Sequence, residues 1–188
     1  MSNIRSVAAQ LPLATEDPRW YAFRTMFKRE KMVERRLRGA GLEVYVPLRT
    51  IVKHYKSKTV TSRVPLFSSY VFVRLTAKQY PVVLADGDVF KIVRFQGEVG
   101  RVGEEEIQFL KNVLRDGDED FQAEEVTGFT VGAEVVIAGG TLAGTKGRIL
   151  ESNGSHNFLV ELRTLGLALK VSVRDEHLAM ASTLRMAA

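Results

Sequence analysis

Residues 116–128, DGDEDFQAEEVTG, separate two stretches of chain with different patterns. The segment carries six acidic residues, no basic one, and only scattered apolar side chains. Such a run buries too little apolar surface to build a core element, so it reads as a linker and domain boundary. Helix-like and strand-like patterns alternate before it, whereas only short β-prone runs follow it. At 188 residues each part is the size of one small domain. The expected fold class is α+β: an N-terminal antiparallel sheet flanked by helices, then a small C-terminal β-barrel. The expected divisions are a leader over 1–18, a first domain over 19–115, the linker over 116–128, a barrel over 129–182 and a tail over 183–188.

In the first domain, Trp20–Thr25 reads as a strand. FKREKMVERRLR, residues 27–38, reads as a helix stopped by Gly39 and Gly41. On a helical wheel Val33, Leu37 and Ala40 share one narrow arc, and Lys28, Lys31, Arg35 and Arg38 lie opposite, with Arg29 and Arg36 on one flank. Glu34 and Arg38 form a favourable pair one turn apart. Glu43–Pro47 is a short strand, and Thr50–Thr61 makes two strands around a polar tip at Tyr55–Lys58. Leu66–Leu75, LFSSYVFVRL, is the most aromatic β-prone run of the chain. Gln79–Leu84 reads as a short helix or turn and Val89–Phe95 as a strand. Glu104–Leu114 opens with three Glu and holds Lys111 near its end, a polarity that suits a helix dipole. In the second part, strands are expected at Glu134–Ala138, Gly147–Glu151, Asn157–Leu162 and Leu167–Val173. Gly139-Gly140, Asn153-Gly154 and Thr164–Gly166 are the turns between them. Several short strands at this spacing indicate a small barrel.

Charge is distributed unevenly. Residues 19–63 hold 13 basic against 3 acidic residues, net +10, whereas 97–126 hold 3 basic against 10 acidic, net −7. Such asymmetry points to a polyanion partner for one part of the molecule only.

Enzyme chemistry finds no support. There is no Cys, which removes disulfides, Cys-ligated metals and thiol nucleophiles. The three His, at 54, 156 and 177, lack metal-ligand spacing. No nucleophile-elbow, dinucleotide-binding or P-loop motif occurs. Glu104–Glu106 reads as a helix start and Asp116–Asp120 as solvated linker. The chain is expected to be no enzyme and to need no cofactor or metal. No apolar run approaches the roughly 18 residues that cross a membrane, and the expected location is cytoplasmic.

Three blocks carry a family resemblance. Trp20-Tyr21 opens a strand that is followed by the basic helix and by Val44-Tyr45-Val46-Pro47. The run Pro65 to Val73, PLFSSYVFV, is followed by Val93-Arg94-Phe95. VGAEVVI, residues 131–137, precedes GGTLAGTKG, residues 139–147. In this order they resemble the NusG family of transcription elongation factors over about residues 19–180. The first two blocks are similar to its N-terminal (NGN) domain, an α/β sandwich, and the third to its KOW motif, an SH3-like barrel. The run from Trp20 to Val73 is most like the specialised RfaH and UpxY-type antiterminators. Two departures stand out. Ser68-Ser69 replace the usual Pro-Gly or Pro-Asn, and Pro81–Leu84 stands where a threonine-rich patch would fall.

The resemblance implies an antitermination factor that binds the RNA polymerase clamp helices and suppresses pausing in particular operons. It implies a polymerase-binding patch at Trp20, Tyr21, Phe67, Tyr70 and Phe72. Strand alternation puts Tyr70 and Phe72 on one face and Phe67 on the other, unless a bulge intervenes. It implies that upstream or non-template DNA meets Arg24, Lys28, Arg29, Lys31, Arg35 and Arg36 on the first strand and helix. Lys53, His54, Lys56 and Lys58 on the hairpin are implied to do the same. Leu142 and Gly144 in the KOW loop would contact Rho or the small-subunit ribosomal protein NusE. The alternatives are a general NusG factor that also supports Rho-dependent termination, and a KOW-type RNA-binding or ribosome-associated protein.

Overall fold

The computed structural model describes residues 16–95 and 97–115 together with the strands at 122–125, 134–137, 146–150, 157–162, 167–172 and 178–180; side chains are described for 16–94 and 97–114. Up to residue 115 the elements are β1 (Arg19–Thr25), α1 (Glu30–Gly39), β2 (Glu43–Tyr45), β3 (Leu48–Tyr55), β4 (Lys58–Pro65), β5 (Tyr70–Leu75), a 3₁₀ turn (Ala77–Gln79), α2 (Tyr80–Leu84), β6 (Val89–Ile92), β7 (Arg94–Phe95), β8 (Glu98–Val99), β9 (Arg101–Val102) and α3 (Glu104–Arg115). The chain divides into two compact units, Met1–Leu48 with Phe67–Glu104 and Arg49–Leu66 with Glu105–Ala188.

The first unit is built on an antiparallel sheet in the order β2-β5-β1-β6, with β9 also on β1. β6 lies along the C-terminal half of β1, and β9 along its N-terminal half. Alternation along β1 and β5 sorts the side chains into two faces. Tyr21 and Phe23 stand across from Val73 and Val71. Together with Val44 and Ile92 they pack on Val33 and Leu37 of α1 and on Tyr80 and Val83 of α2. The second face carries Trp20, Ala22 and Arg24 opposite Arg74, Phe72 and Tyr70, with Glu43 and Tyr45 of β2 beside them.

α1 buries Val33 and Leu37, as its periodicity requires, while Ala40 lies exposed beyond its end. The helix ends in a Schellman motif. The Leu42 N–H donates to the Leu37 carbonyl (3.1 Å) and the Gly41 N–H to the Arg38 carbonyl (3.0 Å). Leu42 and Leu37 are both buried in the core, which supplies the apolar contact typical of this cap. Gly41 has φ +82°, where a Cβ is strained although nothing lies within 4 Å of it. Gly39, inside the helix, has ordinary dihedrals and equally open surroundings. Gly41→Ala is therefore expected to lower the unfolding free energy by about 1 kcal/mol. Gly39→Ala should raise it by about 0.5–1 kcal/mol. Chemical denaturation of the two variants side by side checks the opposite signs.

In the second unit β3 and β4 pair as a two-stranded ribbon whose turn is Lys56-Ser57. α3 buries Ile107, Leu110 and Val113 at helical spacing. A six-stranded antiparallel sheet follows, of β10 (Gln122–Glu125), β11 (Glu134–Ile137), β12 (Lys146–Leu150), β13 (Asn157–Leu162), β14 (Leu167–Ser172) and β15 (Leu178–Met180). Its order is β10-β14-β13-β12-β11-β15.

The structure departs from the sequence reading at several points. β10 lies inside the stretch read as linker, paired from Gln122 opposite Lys170 to Glu125 opposite Leu167. β15, β8 and β9 were not expected. The single strand expected over Val89–Phe95 is broken at Val93, whose N–H donates to the Ala22 carbonyl (2.8 Å). The run Leu66–Leu75 is a strand only from Tyr70, because Ser69 takes φ +62° and turns the chain. The expected leader up to residue 15, the tail, and the turns at Gly139-Gly140, Asn153-Gly154 and Thr164–Gly166 lie outside the described residues.

Candidate functional site

The turn over Leu66–Ser69 decides the aromatic arrangement. It removes Phe67 from the strand, so the alternation that would send Phe67 and Tyr70 to opposite faces does not apply. The Phe67 ring instead meets Tyr70 edge-on at 6.4 Å between centroids and Phe72 at 6.3 Å. Tyr45 joins Phe72 at 6.4 Å. The Arg24 guanidinium lies 3.9 Å from the centre of the Tyr70 ring, a cation–π distance. Trp20 shares this sheet face and donates its indole N–H to Glu104 Oε2 (3.2 Å).

The structure thus brings Phe67, Tyr70 and Phe72 together and puts Trp20 on the same face. It separates Tyr21 from them. Tyr21 stands opposite Val73 and packs in the core beneath α1, so it belongs to the other face. All five aromatics are buried.

Two hydrogen bonds hold the turn that presents Phe67. The Ser69 N–H donates to Glu30 Oε1 (2.6 Å), and the Thr25 N–H donates to the Ser69 carbonyl (2.9 Å). Glu30 is the first residue of α1 and is buried, so the helix start and the turn before β5 are tied through one carboxylate.

The basic residues of β1, α1 and the turn between them fall into three groups. Lys28, Arg29, Lys31 and Arg35 are exposed on α1 and the segment before it. Lys28 has φ +61° and holds its ammonium 5.0 Å from the centre of the Phe27 ring, while Arg29 contacts Met32 Sδ at 3.2 Å. Arg24 is half-buried against Tyr70. Arg36 differs from the rest. It donates to both Asp86 oxygens (2.8 and 2.7 Å) and to Asp88 Oδ2 (2.6 Å). These hydrogen bonds hold the Asp86 carboxyl below its ordinary range and raise Arg36 above its own. A guanidinium already engaged by two carboxylates has little left for phosphate, so Arg36 acts as a tie between α1 and the segment before β6.

On the β3–β4 ribbon Lys53, His54, Lys56 and Lys58 are all exposed, with Tyr55 exposed among them. His54 Nδ1 lies 3.0 Å from the Thr59 hydroxyl. Leu142 and Gly144 lie outside the described residues. Pro81–Leu84 forms most of α2, with Val82 exposed and Val83 in the core. Among the described residues no cluster of His, Asp and Glu could hold a metal ion, and no helix is long and apolar enough to cross a membrane.

Sequence reasoning missed two roles. Glu30 was counted only as a charge, since nothing local marks it as buried. Phe27 was counted as the first residue of the helix, yet it lies in the turn before α1, 68% exposed.

Comparison with known proteins adds the following. A chain from the structure "Domain interaction in Thermotoga maritima NusG" superposes with a TM-score of 0.55 at 20% identity, covering 87% of this chain and 97% of that one, which is a likeness of fold. A chain of the MjSpt4:Spt5 complex in conformation B gives a TM-score of 0.29 at 18% identity over 86% of this chain and 96% of that one. No curated protein matches the sequence. The family model described as transcription termination factor nusG matches residues 18–111, half of the chain, and spans β1 through most of α3. On that match the chain belongs to the NusG family.

Proposed function

We propose that this chain is a transcription elongation factor that docks on the clamp helices of RNA polymerase and suppresses pausing and termination in particular operons. It has no catalytic role of its own, binds no cofactor and works in the cytoplasm. The observation that carries this reading is the cluster of Phe67, Tyr70 and Phe72 beside Arg24 on one sheet face. Rigid aromatics with a flanking guanidinium are the side chains that dominate protein-binding hot spots. Trp20 supports the cluster from the same face, and Tyr21 supports the sheet from below. Because these rings are buried in this structure, docking has two steps, an uncovering of the face and then contact.

Residues 19–115 form the NGN-like domain in this reading, and 129–182 a KOW barrel joined through the acidic segment 116–128. Leu142 and Gly144 in that barrel contact NusE or Rho. Upstream or non-template DNA meets Lys28, Arg29, Lys31 and Arg35 on α1 and Lys53, His54, Lys56 and Lys58 on the ribbon. Phosphate contacts of this kind give affinity without sequence information and weaken steeply with salt.

The test is retention of the full chain on immobilised core RNA polymerase. Tyr70→Ala and Phe67→Ala are expected to weaken retention by about thirty-fold, the value of a typical hot-spot truncation. Arg24→Ala, on a half-buried side chain that leaves the aromatic core intact, should weaken it by a smaller factor. Circular dichroism separates loss of contact from loss of fold. Undiminished retention of all three folded variants would sink the docking face.

A further inference from the structure

We propose that Arg24 and Lys91 together form a seat for a carboxylate on the polymerase surface that receives the aromatic face. This inference rests on the docking reading above and adds the chemistry of its first contact. Arg24 on the central strand β1 has Tyr70 of β5 opposite it on one side and Lys91 of β6 on the other. Residues directly opposite one another in an antiparallel sheet share a face. Tyr70, Arg24 and Lys91 thus make one row, on the face that carries Phe72 and Trp20. Two cations in that register oppose strand pairing, because their Cβ atoms stand only about 5 Å apart. The placement works against the fold, so its gain lies in a bound anion, which turns one repulsion into two attractions. The Arg24 guanidinium is also steadied, 3.9 Å from the centre of the Tyr70 ring. β6 ends the sheet order, so the row opens at the rim of the sheet.

The surroundings of the row select the occupant. Asp86 and Asp88, the carboxylates nearest to Lys91 along the chain, are held by Arg36. The next cation on the same face, Arg74, donates to Glu43 Oε2 at 3.2 Å. Beside Arg24 the row continues into aromatic rings and not into further cations, with Phe67 edge-on to Tyr70. A nucleic-acid strand repeats its phosphates and gains from a line of cations. A single carboxylate set among apolar side chains, as on an amphipathic protein surface, fits two cations beside buried rings. A guanidinium takes a carboxylate through two parallel N–H donors, and an ammonium adds a third. Exposure fixes the order of events. Phe67, Tyr70 and Phe72 are buried, whereas Arg24 is half-buried and Lys91 exposed. The cation pair is therefore within reach before the rings are uncovered, and it makes the first of the two docking steps.

The experiment measures binding of the full chain to immobilised core RNA polymerase over a range of salt, and urea unfolding of the same variants. Lys91→Ala is expected to weaken binding about two- to five-fold, the value of one exposed ion pair. The loss should fall mainly on the association rate and shrink as salt rises, as for other rim charges. Lys91→Glu should weaken binding about tenfold or more, because it removes one cation and engages Arg24 as well. Both variants should nevertheless unfold at higher urea than the parent, since each relieves the like-charge pair. Stability up and binding down is a signature that a structural role for Lys91 would not give. Parental binding by both Lys91 variants, with binding still lost in Tyr70→Ala, overturns the carboxylate seat and leaves the docking face standing. Failure of the parent chain to bind polymerase overturns both. Parental polymerase binding by Lys91→Glu, together with weakened binding of a labelled oligonucleotide, assigns the pair to nucleic acid and also overturns the proposal.

Discussion

Phe23→Ala is expected to lower the unfolding free energy by about 3–5 kcal/mol, the cost of emptying a phenyl site in a close-packed core. Phe23 has no solvent exposure and sits on the central strand β1. Its neighbours across the sheet are Val71 on β5 and Ile92 on β6, and its ring lies 6.1 Å from that of Tyr80 on α2. The site is bounded on both strands and from α2, so little collapse can relieve the cavity. Against the roughly 5–15 kcal/mol that separates a folded domain from its unfolded chain, such a loss is a large part of the margin. The chain's single Trp, Trp20, is buried on the same strand, so its fluorescence during urea unfolding reports this sheet directly. Phe27→Ala, four residues along but exposed, should change stability by no more than about 0.5 kcal/mol. Equal effects from the two substitutions would contradict the sheet order.

The contrast between those two phenylalanines marks how far the sequence could be read. α1 was legible because the 3.6-residue period singles out Val33 and Leu37, and the pair of Glu34 with Arg38 follows from the same geometry. β1, β2, α3 and β13 were legible from composition and alternation, to within a residue or two. The resemblance to the NusG family read from the first two blocks, Trp20 through Phe95, agrees with the family model over residues 18–111, and the third block lies beyond that match. What failed was set by tertiary context. β10 pairs with β14 in spite of its acid-rich sequence, with Glu124 and Glu125 opposite Ala168 and Leu167, so strand pairing overrides local propensity. β8 and β9 are two residues each, too short for any periodic signal.

The site shows the same limit. Residue types were legible, since a dense basic stretch and an aromatic run are plain in one dimension. Which charges remain available was not. Arg36, on one flank of the apolar arc, stood with the DNA-facing cations in the resemblance, yet it is spent on Asp86 and Asp88, some fifty residues away. Phe67 looked out of phase with Tyr70 because alternation was assumed to run through Ser68 and Ser69. One left-handed residue, Ser69, resets the phase and lets the three rings meet.

Glu30→Ala is expected to cost about 1.5–3 kcal/mol, the range for losing a hydrogen bond to a charged acceptor and leaving a donor unsatisfied. Glu30 Oε1 takes the Ser69 N–H at 2.6 Å, and Ser69 itself sits in the left-handed region at φ +62°. Without the carboxylate the Thr25 N–H on the Ser69 carbonyl remains, and that bond fixes the β1 side of the turn. The loss should spread to function, because the same turn seats Phe67 against Tyr70 and Phe72. Glu30→Gln keeps an oxygen acceptor but not the charge, so it should recover about half of the lost stability. Urea unfolding followed through Trp20 measures the first effect, and polymerase retention by the folded variants measures the second. A Glu30→Ala chain as stable as the parent would mean that water satisfies the Ser69 N–H. A destabilised chain with full polymerase retention would mean that Phe67 holds its place without the turn, and would leave the docking face resting on Tyr70, Phe72 and Arg24.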